Sequence, residues 1–546
     1  MRPTVLFALL VSSTILTAQQ PLAIDETTPP ASDNYPLTPD SLPQPGRPTG
    51  TVFKFEMNDS KVFPNTARTI TVYIPAAYDG TTPACLYVGL DGLGFNATTV
   101  FDNLIAEHAI PVTIAVGISS GAVSSAKPPE NPRLDRSFEF DSLTDRLVRF
   151  INDEVLPEVR QKAAARGRPL VFSINANDHA IGGASTGAIA ALNAAWQRPD
   201  LFSRVFSAIG TYVGMRGGEG FYVLVRKTEP KPLRIFMQDG VHDEWGGGPE
   251  IGDWWMSNQT MERALTFAGY DVRHVWGTGT HNDSQASMLF PEAMRWLWRD
   301  WPAPIKSGES RNPVLKAILN PGEDWQIAGS ACPSAVQLAA NAHGDVLPCS
   351  AIAKPPSLAK GVRTTAFTVR NNGDTYACVE RPNKGGELWL IRANGHKTKL
   401  DTGIDGPSGF AFSPDGLWLF VAQSRSKYGL NYRVLSDGTI DSREPFYAFE
   451  VPASTNDSGA TAVAMDKDGR AYVGTRLGIQ VFDRNGRVVA ILPLPGNGAV
   501  TGLCFGGIQF DTLYAATAGK LYKRKLRVAG LPPRAGPIAL PPWGAG

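Results

Sequence analysis

The chain has 546 residues, with 52 Lys and Arg against 51 Asp and Glu and a formal net charge of +1. That balance leaves no basic footprint for nucleic acid, and 43% apolar residues suffice for large cores over a length that suggests two to four domains. With Gly 55 and Pro 43, turns should be many, and disorder, collagen and coiled coil are excluded as overall descriptions.

Residues 1–18 read as a secretory signal peptide: Arg2 supplies a basic start, Val5–Leu16 an apolar stretch and Ala18 a small residue before the cut. The expectation is a secreted or periplasmic protein. No later stretch is as long and apolar, so no integral membrane span is expected after signal removal. Residues 19–48 form a Pro-rich linker with Pro36, Pro39, Pro43, Pro45 and Pro48. From 49 to 303 strands and helices alternate. Arg68–Ile74, Cys85–Gly89 and Val112–Val116 read as strands, and Asp141–Val159 carries Leu143, Leu147, Phe150, Ile151 and Val155 at helical spacing. Such alternation predicts a largely parallel sheet covered on both faces.

From 304 to 528 the texture changes to short strands and hairpin turns at Asn372-Gly373, Asn394-Gly395, Asp415-Gly416, Asp437-Gly438, Asp468-Gly469 and Asn485-Gly486. Every second turn recurs after 43 to 53 residues, the rhythm of four-stranded propeller blades, and the segment is long enough for about five. Residues 529–546 are Pro/Gly-rich and read as a flexible tail. Of the cysteines, Cys85 and Cys504 lie in apolar runs and read as core residues; Cys332 and Cys349 could pair; none has zinc-site spacing.

G-x-S-x-G occurs twice. Gly117-Ile-Ser119-Ser-Gly121 runs towards Pro128 and Pro129, which block a helix. Gly183-Ala-Ser185-Thr-Gly187 lies between the strand His179–Gly183 and the helix former Ala188–Trp196. A nucleophile elbow needs strand, sharp turn and helix, so Ser185 is the expected nucleophile and Ser119 a loop residue. The Thr186 amide, at the helix start, would face an oxyanion.

In strand–helix hydrolases the order is Ser, acid, His. His281 sits in the loop Gly277-Thr-Gly-Thr-His-Asn-Asp before a helix expected at Pro291–Arg299 and is the expected base, whereas His274 in an alternating strand reads as a partly buried structural residue. The acid should follow the strand Leu233–Met237. Asp243, beyond the Gly240 turn, is preferred, with Asp239 at the strand end as the alternative; His242 reads as a rim residue. Leu93, after Gly92, is the expected second oxyanion donor, and Asp91 either braces that loop or makes a plain turn. Phe95, Trp245, Trp254 and Trp255 could line an apolar cleft.

Pro83–Gly92, Arg136-Ser-Phe-Glu-Phe-Asp141, Gly182–Gly187, Phe236-Met-Gln-Asp-Gly with Asp243, and Gly279-Thr-His-Asn with Arg295-Trp-Leu-Trp resemble the enterochelin-esterase-like branch of the α/β-hydrolases over residues 49–303. That family includes siderophore, feruloyl and acyl-sugar esterases. The resemblance implies an α/β-hydrolase domain with Ser185, His281 and Asp243 as its triad and no cofactor or metal; Ala188 stands where relatives often have a second Gly. A small-molecule or saccharide-linked ester is the implied substrate.

Asp405-Gly-Pro-Ser-Gly-Phe-Ala-Phe-Ser-Pro-Asp-Gly, Asp457-Ser-Gly with Met465–Gln480, and Cys504-Phe-Gly-Gly are similar to the regucalcin/gluconolactonase-type β-propeller, which has six blades and holds one divalent metal through Glu, Asn and Asp. Aligned on those motifs, this sequence has Val336, Ser408 and Thr461 at the ligand positions, so the resemblance implies the fold without the metal chemistry. The fold class is thus α/β followed by all-β. The function expected is a serine carboxylic-ester hydrolase with an accessory propeller that binds an unknown partner. The alternatives are a metal-dependent sugar lactonase and a non-catalytic binding protein.

Overall fold

The computed structural model describes residues 28–124, 131–245, 248–330, 338–347, 355–356, 358, 362–381, 385–452, 455–494, 498–533 and 535–542. The expected signal peptide, Cys332, Cys349 and Val336 lie outside the described residues.

Apolar runs long enough for a strand but too short for a helix set the centre of the first unit. Strands β1 (Thr51–Met57), β2 (Arg68–Ile74), β3 (Cys85–Leu90), β4 (Thr113–Ile118), β5 (His179–Ala184), β6 (Arg204–Ala208), β7 (Arg234–Gly240) and β8 (Asp271–Gly277) form one sheet in the order β1-β2-β4-β3-β5-β6-β7-β8. The β1/β2 and β2/β4 pairs are antiparallel and all the others parallel. β3 and β4 are buried throughout, which is why they read as unbroken apolar runs. Alternate residues split between two cores. Leu86, Val88, Val116 and Ile181 pack with Ile189 and Leu192 of α2 (Thr186–Gln197) and with Met261 and Leu265 of α3 (Trp254–Ala268). Cys85, Tyr87, Ala115 and Phe206 pack with Phe101 of α1 (Ala97–Ala106) and Phe290 of α4 (Ser284–Trp298) on the other face.

Three elements differ from the sequence reading. The helix expected over Asp141–Val159 begins at Arg146 and runs to Ala164 through a wide π turn at Ile151–Val155. Pro157 follows after one intervening residue, and its ring would crowd the carbonyl four residues back in a regular helix. α4 starts at Ser284, with Pro291 inside it, because Ala286, Leu289 and Phe290 extend its buried face towards the N-terminus. His274 is exposed rather than partly buried: it lies on the edge strand β8 and stacks on Trp276 at 4.6 Å.

The second unit has four four-stranded sheets among the described residues. Blade one comprises Arg363–Val369, Thr375–Arg381, Gly385–Ile391 and Lys397–Ile404; blade two, Pro407–Phe412, Trp418–Gln423, Tyr428–Val434 and Ile440–Ala448; blade three, Val463–Met465, Ala471–Thr475, Gly478–Phe482 and Val488–Leu492. In these three blades the Asn-Gly and Asp-Gly pairs form the first and third hairpins, with glycine φ between 73° and 88°, a conformation costly for a side chain. Blade four joins Val500–Gly506, Thr512–Thr517 and Lys520–Lys525 to Gln326–Ser330, an outer strand that precedes the other blades in sequence. Four described blades replace the expected five because the early part of the segment supplies the helix Pro313–Ile318 and this closing strand.

The propeller docks where strands of the first sheet begin. Glu229, just before β7, pairs with the buried Arg524 at 2.6 and 2.7 Å, the Glu229 amide donates to the Ile491 carbonyl, and Lys227 pairs with Glu450. The described part of the expected flexible tail lies against the propeller: the Ile538 amide donates to the Pro414 carbonyl and Arg484 to that of Pro541.

Candidate active site

β5 ends in a turn so tight that a Cβ on Gly183 would stand 2.7 Å from the backbone of Gly187. Glycine at that point lets the chain double back, and the strain falls on Ser185, which takes φ 56° and ψ −122°. The Ser185 amide donates to the Ala208 carbonyl of β6 and its carbonyl accepts from the Thr211 amide. α2 begins at the next residue, so the Thr186 amide stands at a helix N-terminus.

The hydroxyl of Ser185 lies 2.9 Å from Nε2 of His281 and 3.1 Å from the hydroxyl of Thr211. On the other side of the ring, Nδ1 of His281 lies 2.8 and 3.0 Å from the two oxygens of Asp243, whose side chain is fully buried. The Trp254 ring meets the imidazole edge-on at 5.4 Å, and its indole N–H donates to Thr211. β5, β7 and β8 thus each deliver one member of this line from the ends at which the parallel strands finish. Chemically it can draw a proton off a hydroxyl, hold it on an imidazole facing a carboxylate, and return it.

Asp239 stands behind Asp243. Its side chain is buried, Oδ1 accepts from the Gly240 amide, and Oδ2 has no partner among the described residues. Burial first, and the facing Asp243 carboxylate second, push its pKa well above the usual range.

The Asp91–Leu93 turn lies across the start of α2. A Cβ on Gly187 would come 3.3 Å from Asp91 Oδ2, and one on Gly117 would come 2.7 Å from the Leu93 amide nitrogen. Arg136 grips Asp91 from Nε at 3.0 Å and Nη2 at 2.7 Å, so Asp91 braces the loop. Ser119 is remote from this chemistry and accepts from the Thr69 amide. His242 sits at the rim, its Nε2 2.6 Å from the Pro29 carbonyl.

Of the aromatics expected in a cleft, Phe95 is a core residue packed on Phe206 and Phe290, and Trp255 packs on Trp276. Trp254 is buried against His281, and only Trp245 is largely exposed. Thr211 was not anticipated, because a threonine directly after an Ile-Gly pair carries no signal of its own. The role of Arg136 was visible only as part of a longer motif. In the propeller, Ser408 and Thr461 line an axial cavity of about 330 Å³ with Phe367, Phe410, Met465 and Cys504.

Residues 60–325 match the family described as "Putative esterase", and residues 348–519 match the SMP-30/Gluconolactonase/LRE-like region. The chain joins an esterase-like α/β domain to a gluconolactonase-like propeller. No match is found among curated proteins. Similar solved structures include an enterobactin esterase from Shigella flexneri (19% identity, 48% of this chain and 63% of that one, TM-score 0.37). A regucalcin from Agrobacterium tumefaciens str. C58 is also similar (18% identity, 32% of this chain and 64% of that one, TM-score 0.29). A ferulic acid esterase is covered over 99% of its length by 46% of this chain (15% identity, TM-score 0.35). The chain spans less than two thirds of the enterobactin esterase and of the regucalcin.

Proposed function

We propose that the first domain hydrolyses a carboxylic ester through an acyl-enzyme on Ser185. The observation that carries this reading is the unbroken Asp243–His281–Ser185 line at 2.8 and 2.9 Å, with the serine held at a strained elbow. His281 takes the Ser185 proton as the oxygen attacks the ester carbonyl, then gives it to the departing alcohol. Water enters by the same route in reverse and frees the acid. Charge on the carbonyl oxygen develops towards the Thr186 and Leu93 amides, and Asp243 balances the imidazolium. The substrate is a small-molecule or saccharide-linked ester, in keeping with the esterase-family match.

The propeller does no metal chemistry in this reading. Ser408, Thr461 and Thr368 supply hydroxyls to a cavity whose described lining residues include no carboxylate, carboxamide or imidazole, a poor side-chain donor set for a hard divalent cation. The propeller acts as an accessory module for a partner. We also place the protein outside the cytoplasm, secreted or periplasmic, on the strength of Arg2, the Val5–Leu16 run and Ala18; the intact mass of protein recovered from those compartments, short by the first 18 residues or so, tests this.

Hydrolysis of a short-chain aryl acetate, with and without EDTA and beside Ser185→Ala, tests the chemistry. Activity that survives EDTA and is lost in Ser185→Ala is the expected result. Activity lost to EDTA and indifferent to Ser185 would move the chemistry to the propeller.

A further inference from the structure

The loop that carries His281 is a short run of small and polar residues, Gly277-Thr-Gly-Thr-His-Asn-Asp, with little apolar surface to anchor it. Its inner side is held by the turn that carries Asp243. Val241 and His242 donate their amides to the Gly277 and Gly279 carbonyls at 2.9 and 3.1 Å. Its outer side is held by a segment from more than 240 residues earlier in the chain. Asp33 takes the Thr280 amide on Oδ1 and the Thr280 hydroxyl on Oδ2, both at 2.8 Å. The Tyr35 hydroxyl accepts from the Thr278 amide at 2.7 Å and lies 3.2 Å from the Thr278 hydroxyl, and the Ser32 amide donates to the Thr278 carbonyl at 2.9 Å. Upstream, the Pro29 carbonyl reaches His242, next to Asp243.

The far end of the same segment is tied to the body of the domain. Asn103 of α1 donates to the carbonyls of Asp40 and Leu42 at 2.9 and 3.0 Å, and Arg295 of α4 pairs with the Asp40 carboxylate at 2.7 Å. Proline-rich backbone between two such anchorages is stiff, because each ring fixes φ and removes rotational freedom. Its composition marks it as a spacer, but its hydrogen bonds make it a brace.

We propose that residues 29–42 are a positioning strap for the catalytic histidine, with Asp33 the residue that sets Thr280 and, through it, the neighbouring imidazole. The inference rests on the reading of His281 as the base. Gly279 fits the same contact: a Cβ there would stand 2.9 Å from Asp33 Oδ1. Burial alone would raise the Asp33 pKa, but the Thr280 amide and hydroxyl, the Asn282 side chain and the charge of His242 outweigh it and hold the carboxyl below its usual range. Asparagine in its place could still accept from the Thr280 amide on Oδ1 and donate to the Thr280 hydroxyl from Nδ2; alanine can do neither.

The test compares wild type, Asp33→Ala, Asp33→Asn and Tyr35→Phe in the full chain. For Asp33→Ala the expected results are a fall in kcat of about tenfold with KM changed less than about twofold, the pattern of a displaced catalytic group. Amide exchange, read by mass spectrometry, should also rise across 277–283 by more than the single Thr280 amide. Asp33→Asn should restore both, and Tyr35→Phe should shift exchange in the same direction by less. Unchanged exchange across that loop in Asp33→Ala, or equal damage from Asn and Ala, would overturn the strap. If instead wild-type turnover proved indifferent to His281→Ala while exchange still rose in Asp33→Ala, the assignment of the base would fall and the strap's hold on the loop would stand.

Discussion

Replacing Asp141 by Asn removes one buried titration beside α2, the helix that follows Ser185, and leaves the volume of the side chain nearly unchanged. Asp141 is fully buried, and among the described residues neither of its oxygens has a hydrogen-bond partner. Burial pushes its pKa from 3.8 up to about 6, against smaller pulls from the nearby Ser137 hydroxyl, Arg136, the Thr186 hydroxyl and Arg216. A carboxyl whose folded pKa is raised binds its proton more tightly folded than unfolded. Its contribution to stability is therefore complete below about pH 4 and is lost as the pH climbs through about 6. At about 1.4 kcal/mol per pKa unit, the shift amounts to about 3 kcal/mol once both states have titrated. Asparagine does not titrate, so Asp141→Asn should gain on wild type by about 2.5 kcal/mol between pH 4 and pH 8. For a domain of this size, that is about 5–10 °C in unfolding temperature. The fixed cost of a buried amide without partners moves every pH equally and cancels from this difference. Thermal unfolding of both proteins at pH 4, 5, 6, 7 and 8 and matched ionic strength reads it directly. A variant-minus-wild-type difference that stays flat within about 1 °C would refute the reasoning.

Asp243→Asn should lower kcat by about 10⁴-fold, because its amide supports the wrong imidazole tautomer; Asp239→Asn, which leaves the carboxylate facing His281 in place, should keep activity within about tenfold, and equal losses in the two would refute the division of roles. Arg524→Ala strands Glu229 at the junction and should destabilise it by about 3 kcal/mol, seen as earlier separation of two transitions in calorimetry. Its ester hydrolysis should stay within about twofold of wild type, because the junction meets the sheet where β7 begins and the triad stands where the strands end.

The elbow at Ser185 was legible because it is a local event: strand, glycines and helix former all lie within a few residues of it. The paired hairpins were legible for the same reason, each Asn-Gly or Asp-Gly marking a turn whose φ only glycine takes cheaply. Legibility failed where a residue's role depends on a distant partner. Residues 28–48 look like a linker because extended chain with many prolines has the same composition whether or not something lies beneath it. The tail at 535–542 is misread for the same reason. Phe95 in a loop and Trp254 at the start of α3 are aromatic residues near a site, and only packing on Phe206 and Phe290 or on His281 separates a core side chain from a cleft wall.

Asp239 and Asp243 show how tertiary contact separates two carboxyls that the sequence can only rank, with Asp243 preferred. Both follow the same strand and both side chains are buried, yet two carboxylates side by side in a low dielectric cannot both stay charged. Asp239 lies at the strand end, where a backbone amide takes one oxygen and the fold gives the other no donor. Burial and the neighbouring Asp243 carboxylate raise its pKa well above the usual range. Asp243, across the Gly240 turn, instead faces the His281 imidazole, with Nδ1 2.8 and 3.0 Å from its two oxygens. Contact with the imidazole, not order along the chain, thus separates the carboxyl that can serve His281 and Ser185 in the proposed reaction from the one that cannot.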